Sequence, residues 1–285
     1  MNPVDTAEVL VQALPYIQRF RNKIVVVKYG GNAMSPDGGA AQFAEDIVLM
    51  QSVGLKPVVV HGGGPQITDL MKRLGKQTEF RNGLRVTDAE SLEITRMVLV
   101  GKVNRELVSD INRHGPLAVG VSGEDAGLIT ATQHDPELGF VGDVASVNPS
   151  ILHRLLEQDL IPVIATIGVD EAGQAYNINA DTVAGAIAVA LDAEKVVFLT
   201  DIEGLRRDVA DETSLISQIT AAELRLLIED GTVASGMIPK VEACLHAVEA
   251  NVRSAHLIDG RRDHVLLLEL FTDTGIGTMI TRYPV

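Results

Sequence analysis

Residues 24–32 read IVVVKYGGN, and the fold can be read outward from this stretch. Ile24–Val27 is a β-branched run, too short for a helix and suited to a strand buried on both faces. It runs into Lys28, a costly residue at the end of a buried strand unless its ammonium emerges into a site. Gly30-Gly31 stops the strand and lets backbone N–H groups approach an anion closely. Alone, the stretch also reads as an ordinary glycine turn beside a solvated lysine.

The same pattern recurs downstream. A helical pattern from about Ala40 to Val53 is followed by a second strand, PVVVH (57–61), which breaks at Gly62-Gly63-Gly64, with Pro65 opening another helix. Residues 88–114 predict one long amphipathic helix with Leu92, Met97, Val100, Val103, Leu107 and Ile111 on its apolar side. Residues 117–147 read as short strands and hairpins, 151–159 as a helix and 161–167 as a buried strand. Helices follow at 182–191, 220–230 and 239–252, and strands at 196–199, 255–258, 265–271 and 278–281. Alternating strands and helices imply parallel pairing through right-handed crossovers. The expected fold is therefore an α/β, three-layer αβα sandwich around a largely parallel sheet. A helix over residues 1–22 precedes it, and a turn-rich join at 168–173 divides a lobe at 23–173 from one at 174–285.

The composition suits this reading. The chain has 285 residues, of which 46% are hydrophobic and 22% charged, with no Trp. That length supports one large domain or two closely joined lobes. A net charge of −14 repels phosphate backbones, and no basic patch offsets it, so nucleic acid is not expected as a partner. Cys244 is the only cysteine, which leaves no internal disulfide and no zinc set. With no signal core and no membrane-length apolar run, the chain is expected to be cytosolic.

Three strand-to-helix turns carry the chemistry, and in an open α/β sheet such turns can share one crevice. The first is Lys28–Asn32. The second, His61–Pro65, reads either as an anion cradle at a helix start or as an HGGG-type oxyanion hole. The hydrolase reading needs a Gly-x-Ser-x-Gly elbow, and the nearest approach, residues 120–124 (GVSGE), has Glu in place of the last Gly. The third is NINAD (177–181), where Asp181 is positioned as a helix N-cap while Asn177 and Asn179, at alternate positions, face one side. TDIEG (200–204) and GMIPK (236–240) follow. Lys240 sits in a first helical turn, where the dipole disfavours a cation; an anionic ligand would remove that objection, and an exposed, solvated lysine is the plainer reading. Neither a Gly-x4-Gly-Lys-Ser/Thr nor a Gly-x-Gly-x-x-Gly motif stands at a strand–helix junction.

KYGGN, HGGGP, NGLRVT (82–87), NINAD and GMIPK, in this order, resemble the amino-acid kinase family, and within it the branch acting on N-acetyl-L-glutamate in arginine biosynthesis. The resemblance covers nearly the whole chain. It implies that ATP, carrying its own Mg²⁺, donates a phosphoryl group to a carboxylate, with the acid bound by the N-terminal lobe and the nucleotide by the C-terminal lobe. It implies catalytic roles for Lys28 and Lys240, oriented by Asp181. Gly63, Gly64, Arg85, Asn177 and Asn179 would bind the acid, and Gly30, Gly31, Thr200, Asp201 and Gly204 the nucleotide. No dedicated metal ligands are implied.

The chemistry is consistent with that assignment. A carboxylate is already ionised at neutral pH, so repulsion between two anions is the barrier, and positioning with positive electrostatics must lower it. The apolar helix at 5–20 and the segment 256–278 resemble arginine-inhibited members. That resemblance implies a hexamer laced by N-terminal helices and an arginine site at Tyr16, Lys195, His256, Glu269 and Gly275. Whether a PII-type signalling protein binds stays open. The rivals are a sibling kinase for aspartate, glutamate or carbamate, and a non-catalytic regulatory protein on the same fold.

Overall fold

The computed structural model describes residues 3–31, 34, 39–81, 83–208, 211–233, 235–272 and 275–284. Asn32 and Asn82, the ends of two quoted motifs, lie outside the described residues. The chain runs α1 (Pro3–Phe20), β1 (Ile24–Tyr29), α2 (Gly39–Ser52), β2 (Lys56–His61), α3 (Gly64–Arg73) and a small hairpin, β3 (Phe80–Arg81) with β4 (Leu84–Arg85). It continues through α4 (Ala89–Arg96), a π-helical segment (Met97–Val103), α5 (Asn104–Asn112), β5 (Ala118–Ser122), β6 (Ile129–Gln133), β7 (Val141–Val147), α6 (Ser150–Glu157), β8 (Ile161–Ala165), β9 (Ile167–Val169) and β10 (Ala175–Ile178). The last part comprises α7 (Ala180–Ala190), β11 (Lys195–Thr200), β12 (Gln218–Thr220), α8 (Ala221–Glu229), α9 (Ile238–Glu249), β13 (Ser254–Asp259), α10 (Val265–Phe271) and β14 (Thr278–Thr281).

Eight strands form one sheet in the order β12-β14-β13-β11-β1-β2-β8-β5, parallel except where β13 meets β14. Both faces are covered, which is why the middles of the central strands are apolar. Val26, Val58, Val60, Val196 and Phe198 point into a core closed by α6, α7, α8 and α9. Val25, Val27, Val59, Val197 and Leu199 point into a second core closed by α2, α3, the α4–π–α5 rod and α10. The expected three-layer sandwich is therefore present. A closed four-stranded barrel, β10-β7-β6-β9, rests against the first core. The expected lobe join at 168–173 falls at the turn between β9 and β10, where Asp170 O accepts from Gly173 N.

Three elements differ from expectation. The strand expected at 161–167 breaks at Thr166, and its two halves enter different sheets. The helix expected over 88–114 contains a π segment. A π turn admits an extra residue, which rotates the buried face. Val98 and Leu99 are buried in consequence, and Met97, expected on the apolar side, is 60% exposed. Finally, Val265–Phe271 is a helix, not a strand. Short apolar runs do not distinguish the two by periodicity. Val265, Leu266, Glu269 and Leu270 are buried while Leu268 is exposed, which is a helical spacing.

A strand would place Leu266 and Leu268 on one face, whereas a helix separates them. Leu266→Ala is therefore expected to cost about 2–5 kcal/mol, and Leu268→Ala less than about 1 kcal/mol, measured by urea unfolding. Similar losses for both variants would contradict the helix.

Candidate active site

Lys28 stands near the carboxyl end of β1 and is only 7% exposed. Such burial requires a counter-charge, and Asp181 supplies it: Lys28 Nζ lies 3.0 Å from Asp181 Oδ1. That oxygen has the ion pair but no directed hydrogen bond. The second oxygen, Oδ2, accepts from Lys240 Nζ at 2.9 Å. Burial alone would raise the Asp181 pKa, but the two ammonium groups outweigh it and hold the carboxyl below its usual range. Asp181 also lies in the first turn of α7, where the helix dipole favours a negative charge.

Asp181 is not the N-cap that was expected. Asn179 caps α7, its Oδ1 accepting from Asp181 N at 2.8 Å and Thr182 N at 3.4 Å. The cap at position 179 leaves the Asp181 carboxylate available for the lysines. It also commits the Asn179 oxygen, so of the two amides expected to face a ligand only Asn177 keeps its oxygen uncommitted to the cap.

The two glycine turns touch. A Cβ on Gly30 would lie 3.3 Å from Gly62 N, and Gly62 N donates to Tyr29 O at 3.0 Å. Gly31 adopts φ +66°, in the left-handed region that favours glycine. Gly63 needs its missing side chain for another reason: a Cβ there would sit 2.8 Å from Leu99 Cδ2 and 3.2 Å from Val103 Cγ2 of the π segment.

A cavity of about 220 Å³ opens on this group, lined by Lys28, Gly31, Gly63, Gly64, Arg85, Asn177, Asn179 and Asp181 among others. Arg85 is only 6% exposed. Its Nη2 donates to Gly64 O at 3.0 Å and Thr68 Oγ1 at 2.8 Å, and its guanidinium stacks 4.6 Å from the Phe80 ring centroid. Among the described residues no carboxylate pairs with it. Phe80 was missed in the sequence, although it faces Arg85 across the β3–β4 hairpin. The dipeptide Asn82-Gly83 was a readable hairpin signal. Thr166 and Leu99 also line the cavity without having been signalled.

A second cavity of about 340 Å³, largely apolar, is lined by Asp201, Ile202, Glu203, Gly204, Leu205, Arg206, Leu227, Thr232, Val233, Met237 and Arg261. Asp201 and Gly204 are thus at its wall. Thr200 instead turns inward, its Oγ1 within 2.7 Å of Ile202 O and 3.2 Å of Ile258 O, and braces the turn. Lys240, in the first turn of α9, connects to the first cavity through Asp181. The described residues contain no cluster of three or more His, Cys, Asp or Glu side chains suited to a metal ion.

Of the residues expected at an effector site, Lys195, His256 and Glu269 form a separate buried group near the amino ends of β11 and β13, with Tyr16 half-buried and Gly275 exposed beside it. His256 Nδ1 lies 2.6 Å from Glu269 Oε1, and Lys195 Nζ lies 3.1 Å from His256 Nε2. Burial depresses the His256 pKa. Glu269 Oε2 accepts from Ile276 N at 3.0 Å, and a Cβ on Gly275 would approach both carboxylate oxygens to 3.1 Å. Lys195 Nζ also sits 5.2 Å over the Phe20 ring of α1, and Tyr16 packs, partly buried, on the second core.

Residues 23–259 match the model of the amino acid kinase family. An acetylglutamate kinase from Symbiobacterium thermophilum is 52% identical, with 98% of each chain covered. Among solved structures, N-acetylglutamate synthase from Neisseria gonorrhoeae complexed with coenzyme A and N-acetyl-glutamate superposes with a TM-score of 0.84 at 27% identity. That match covers 98% of this chain, which spans 64% of the synthase chain. The same synthase complexed with coenzyme A and L-arginine gives a TM-score of 0.80 at 26% identity, covering 97% of this chain and 65% of that one. The chain belongs to the amino acid kinase family, on the branch of its acetylglutamate kinases.

Proposed function

We propose that this chain transfers the terminal phosphoryl group of MgATP to the side-chain carboxylate of N-acetyl-L-glutamate. A carboxylate oxygen attacks the γ-phosphorus, the bond to the β–γ bridging oxygen breaks, and the products are an acyl phosphate and ADP. The observation that carries this reading is a buried guanidinium, Arg85, with no carboxylate partner among the described residues, in the same cavity as the Lys28–Asp181 pair. Burial of an unpaired charge is costly, and an acidic ligand removes the cost. The acid lies in the 220 Å³ cavity, and the nucleotide extends from the Gly30-Gly31 turn toward the apolar cavity at 201–237.

No general base is required, because the nucleophile is ionised already. Lys28 and the glycine N–H groups stabilise the transferring phosphoryl, and Lys240 the leaving β-phosphate. Asp181 holds the two ammonium groups at one site against their mutual repulsion. Magnesium enters as part of the substrate, bound to the phosphates.

The reaction is tested with a hydroxamate assay on a panel of acids, since hydroxylamine traps an acyl phosphate. N-acetyl-L-glutamate is expected to give product well above aspartate, glutamate and carbamate. Lys28→Ala and Lys240→Ala are each expected to lower turnover at least about a hundredfold. Near-normal turnover in both folded variants would exclude the mechanism. Arg85→Lys keeps the charge but loses the planar fork, so the KM for the acid should rise while that for ATP is unchanged. A selective change in the ATP KM would assign Arg85 to the nucleotide instead.

Arginine is the proposed inhibitor, bound at Lys195, His256, Glu269, Gly275 and Tyr16 beside α1. Glu269 is the carboxylate suited to its guanidinium, which exchanges with the present Glu269–His256 contact. Val9, Leu10, Val11 and Leu14 are exposed on α1, which supports an assembly in which these helices interlace dimers into a hexamer. Inhibition requires arginine to favour the less active arrangement, by a coupling of about 1–3 kcal/mol. Deleting residues 1–20 should leave a smaller, active oligomer with little arginine response, and Glu269→Ala should lose the response but keep the oligomer. Light scattering with activity titrations checks both, and an intact enzyme indifferent to millimolar arginine would end the proposal.

A further inference from the structure

His61 is fully buried at the end of β2, yet both of its ring nitrogens are engaged. Nδ1 lies 2.9 Å from Gly62 O, and Nε2 lies 3.1 Å from Asn104 Nδ2. The Asn104 amide nitrogen also donates to Val163 O at 2.8 Å, while its Oδ1 accepts from Arg105 Nη2. A main-chain carbonyl only accepts and a guanidinium only donates, so the Asn104 amide has one allowed orientation. Its nitrogen must face Val163 O and His61. His61 Nε2 is therefore the acceptor, and the ring proton resides on Nδ1, from which it is donated to Gly62 O. Burial keeps the ring neutral by pushing its pKa down to about 4.

The tautomer matters because of the peptide it holds. Gly62 O and Gly63 N–H belong to one planar unit and point in opposite directions. Glycines on both sides of that peptide leave it without a Cβ to resist rotation. Among the described residues the Gly63 N–H donates to no partner, and Gly62, Gly63 and Gly64 all line the acid pocket. The other flank of Gly63 is pressed by Leu99 and Val103 of the π segment, and Asn104 is the residue that follows it. The extra residue of the π turn thus delivers both the packing on Gly63 and the amide that sets the His61 tautomer.

We infer that Asn104 and His61 are positioning residues that lock the Gly62–Gly63 peptide with its N–H toward the substrate carboxylate. This rests on the reading of the pocket as the acid site. Affinity for the acid then depends on the tautomer of a histidine that never touches it.

The test uses the full chain labelled with ¹⁵N-histidine, the His61 signals being assigned by their loss in His61→Asn. Nδ1 protonated and Nε2 bare is the expected pattern at neutral pH, and a proton on Nε2 overturns the inference. Asn104→Leu removes the donor to Nε2, so the ring loses one of its two anchors and the acid KM should rise. His61→Leu is expected to raise the acid KM about tenfold, the scale of one lost hydrogen bond, with the KM for MgATP unchanged. His61→Asn carries its amide nitrogen near the position of Nδ1 and should restore much of the acid affinity. Equal acid KM values in His61→Leu and His61→Asn overturn the inference, as does a loss of kcat with the acid KM unaltered. Calorimetric titration of the unaltered chain with N-acetyl-L-glutamate separates the two levels. No binding overturns the reading of the pocket and the inference with it. Binding, combined with unaltered acid KM in the folded variants, overturns the inference alone.

Discussion

Asp181 is a carboxylate almost closed off from water, and two ammonium groups drawn from distant parts of the chain make its ionised form stable there. The interaction works in both directions. Without the carboxylate, Lys28 and Lys240 would be like charges near one site, and among the described residues Lys28 would have no counter-charge for its buried ammonium. Through this one group β1, α7 and α9 acquire a common point, where two cations outweigh one anion. That polarity is local, since the chain as a whole carries a net charge of −14. A concentrated cationic site in an acidic protein attracts small anions without attracting polyanions in general.

The cavity beside it, proposed to take the acid, extends that polarity with groups of another kind. Arg85 adds a guanidinium whose hydrogen bonds go to Gly64 O and Thr68 Oγ1, which orient it without neutralising it. The glycine turns add N–H groups at a helix start, where α3 contributes its dipole. Close packing makes this possible. Gly30 comes within contact of Gly62, and Gly63 within contact of the π segment, so the two turns and the α4–π–α5 rod form one rigid wall. A wall of that kind holds donors in place before the ligand arrives, which is what electrostatic catalysis requires.

The buried Lys195–His256–Glu269 group lies at the opposite end of the same strands. β11 starts at Lys195 and ends at Thr200, while β13 carries His256 near its start and ends at Asp259. The five residue steps from Lys195 to Thr200 span about 17 Å, so the two ends of β11 connect the proposed effector group to the proposed nucleotide turn through hydrogen-bonded backbone. α10 joins the same group through Glu269, and α1 through Phe20, which lies under Lys195. α1 is thereby in contact with a strand whose following turn lines the second cavity.

The alternation of strands and helices, the double-faced sheet and the positions of the glycine turns were all present in the sequence. Each depends on local properties: β-branched runs, glycine's backbone freedom and the spacing of apolar residues. Lys28 was legible for the same reason, because a charge at the end of an apolar run is anomalous wherever the chain goes next. The tertiary structure decided what depends on partners far along the chain. Asp181 reads locally as a helix cap, and only the arrival of Lys240, 59 residues away, with Asn179 taking the cap, makes it the centre of a charge cluster. Val265–Phe271 is apolar enough for either a strand or a helix, and its packing on α2 and the second core selects the helix. The π segment has no local signature, since it satisfies Gly63, His61 and the second core together. That requirement exists only once β2 and the α4–π–α5 rod are side by side, because packing and hydrogen bonding act between neighbours in space, whereas propensity acts between neighbours in sequence.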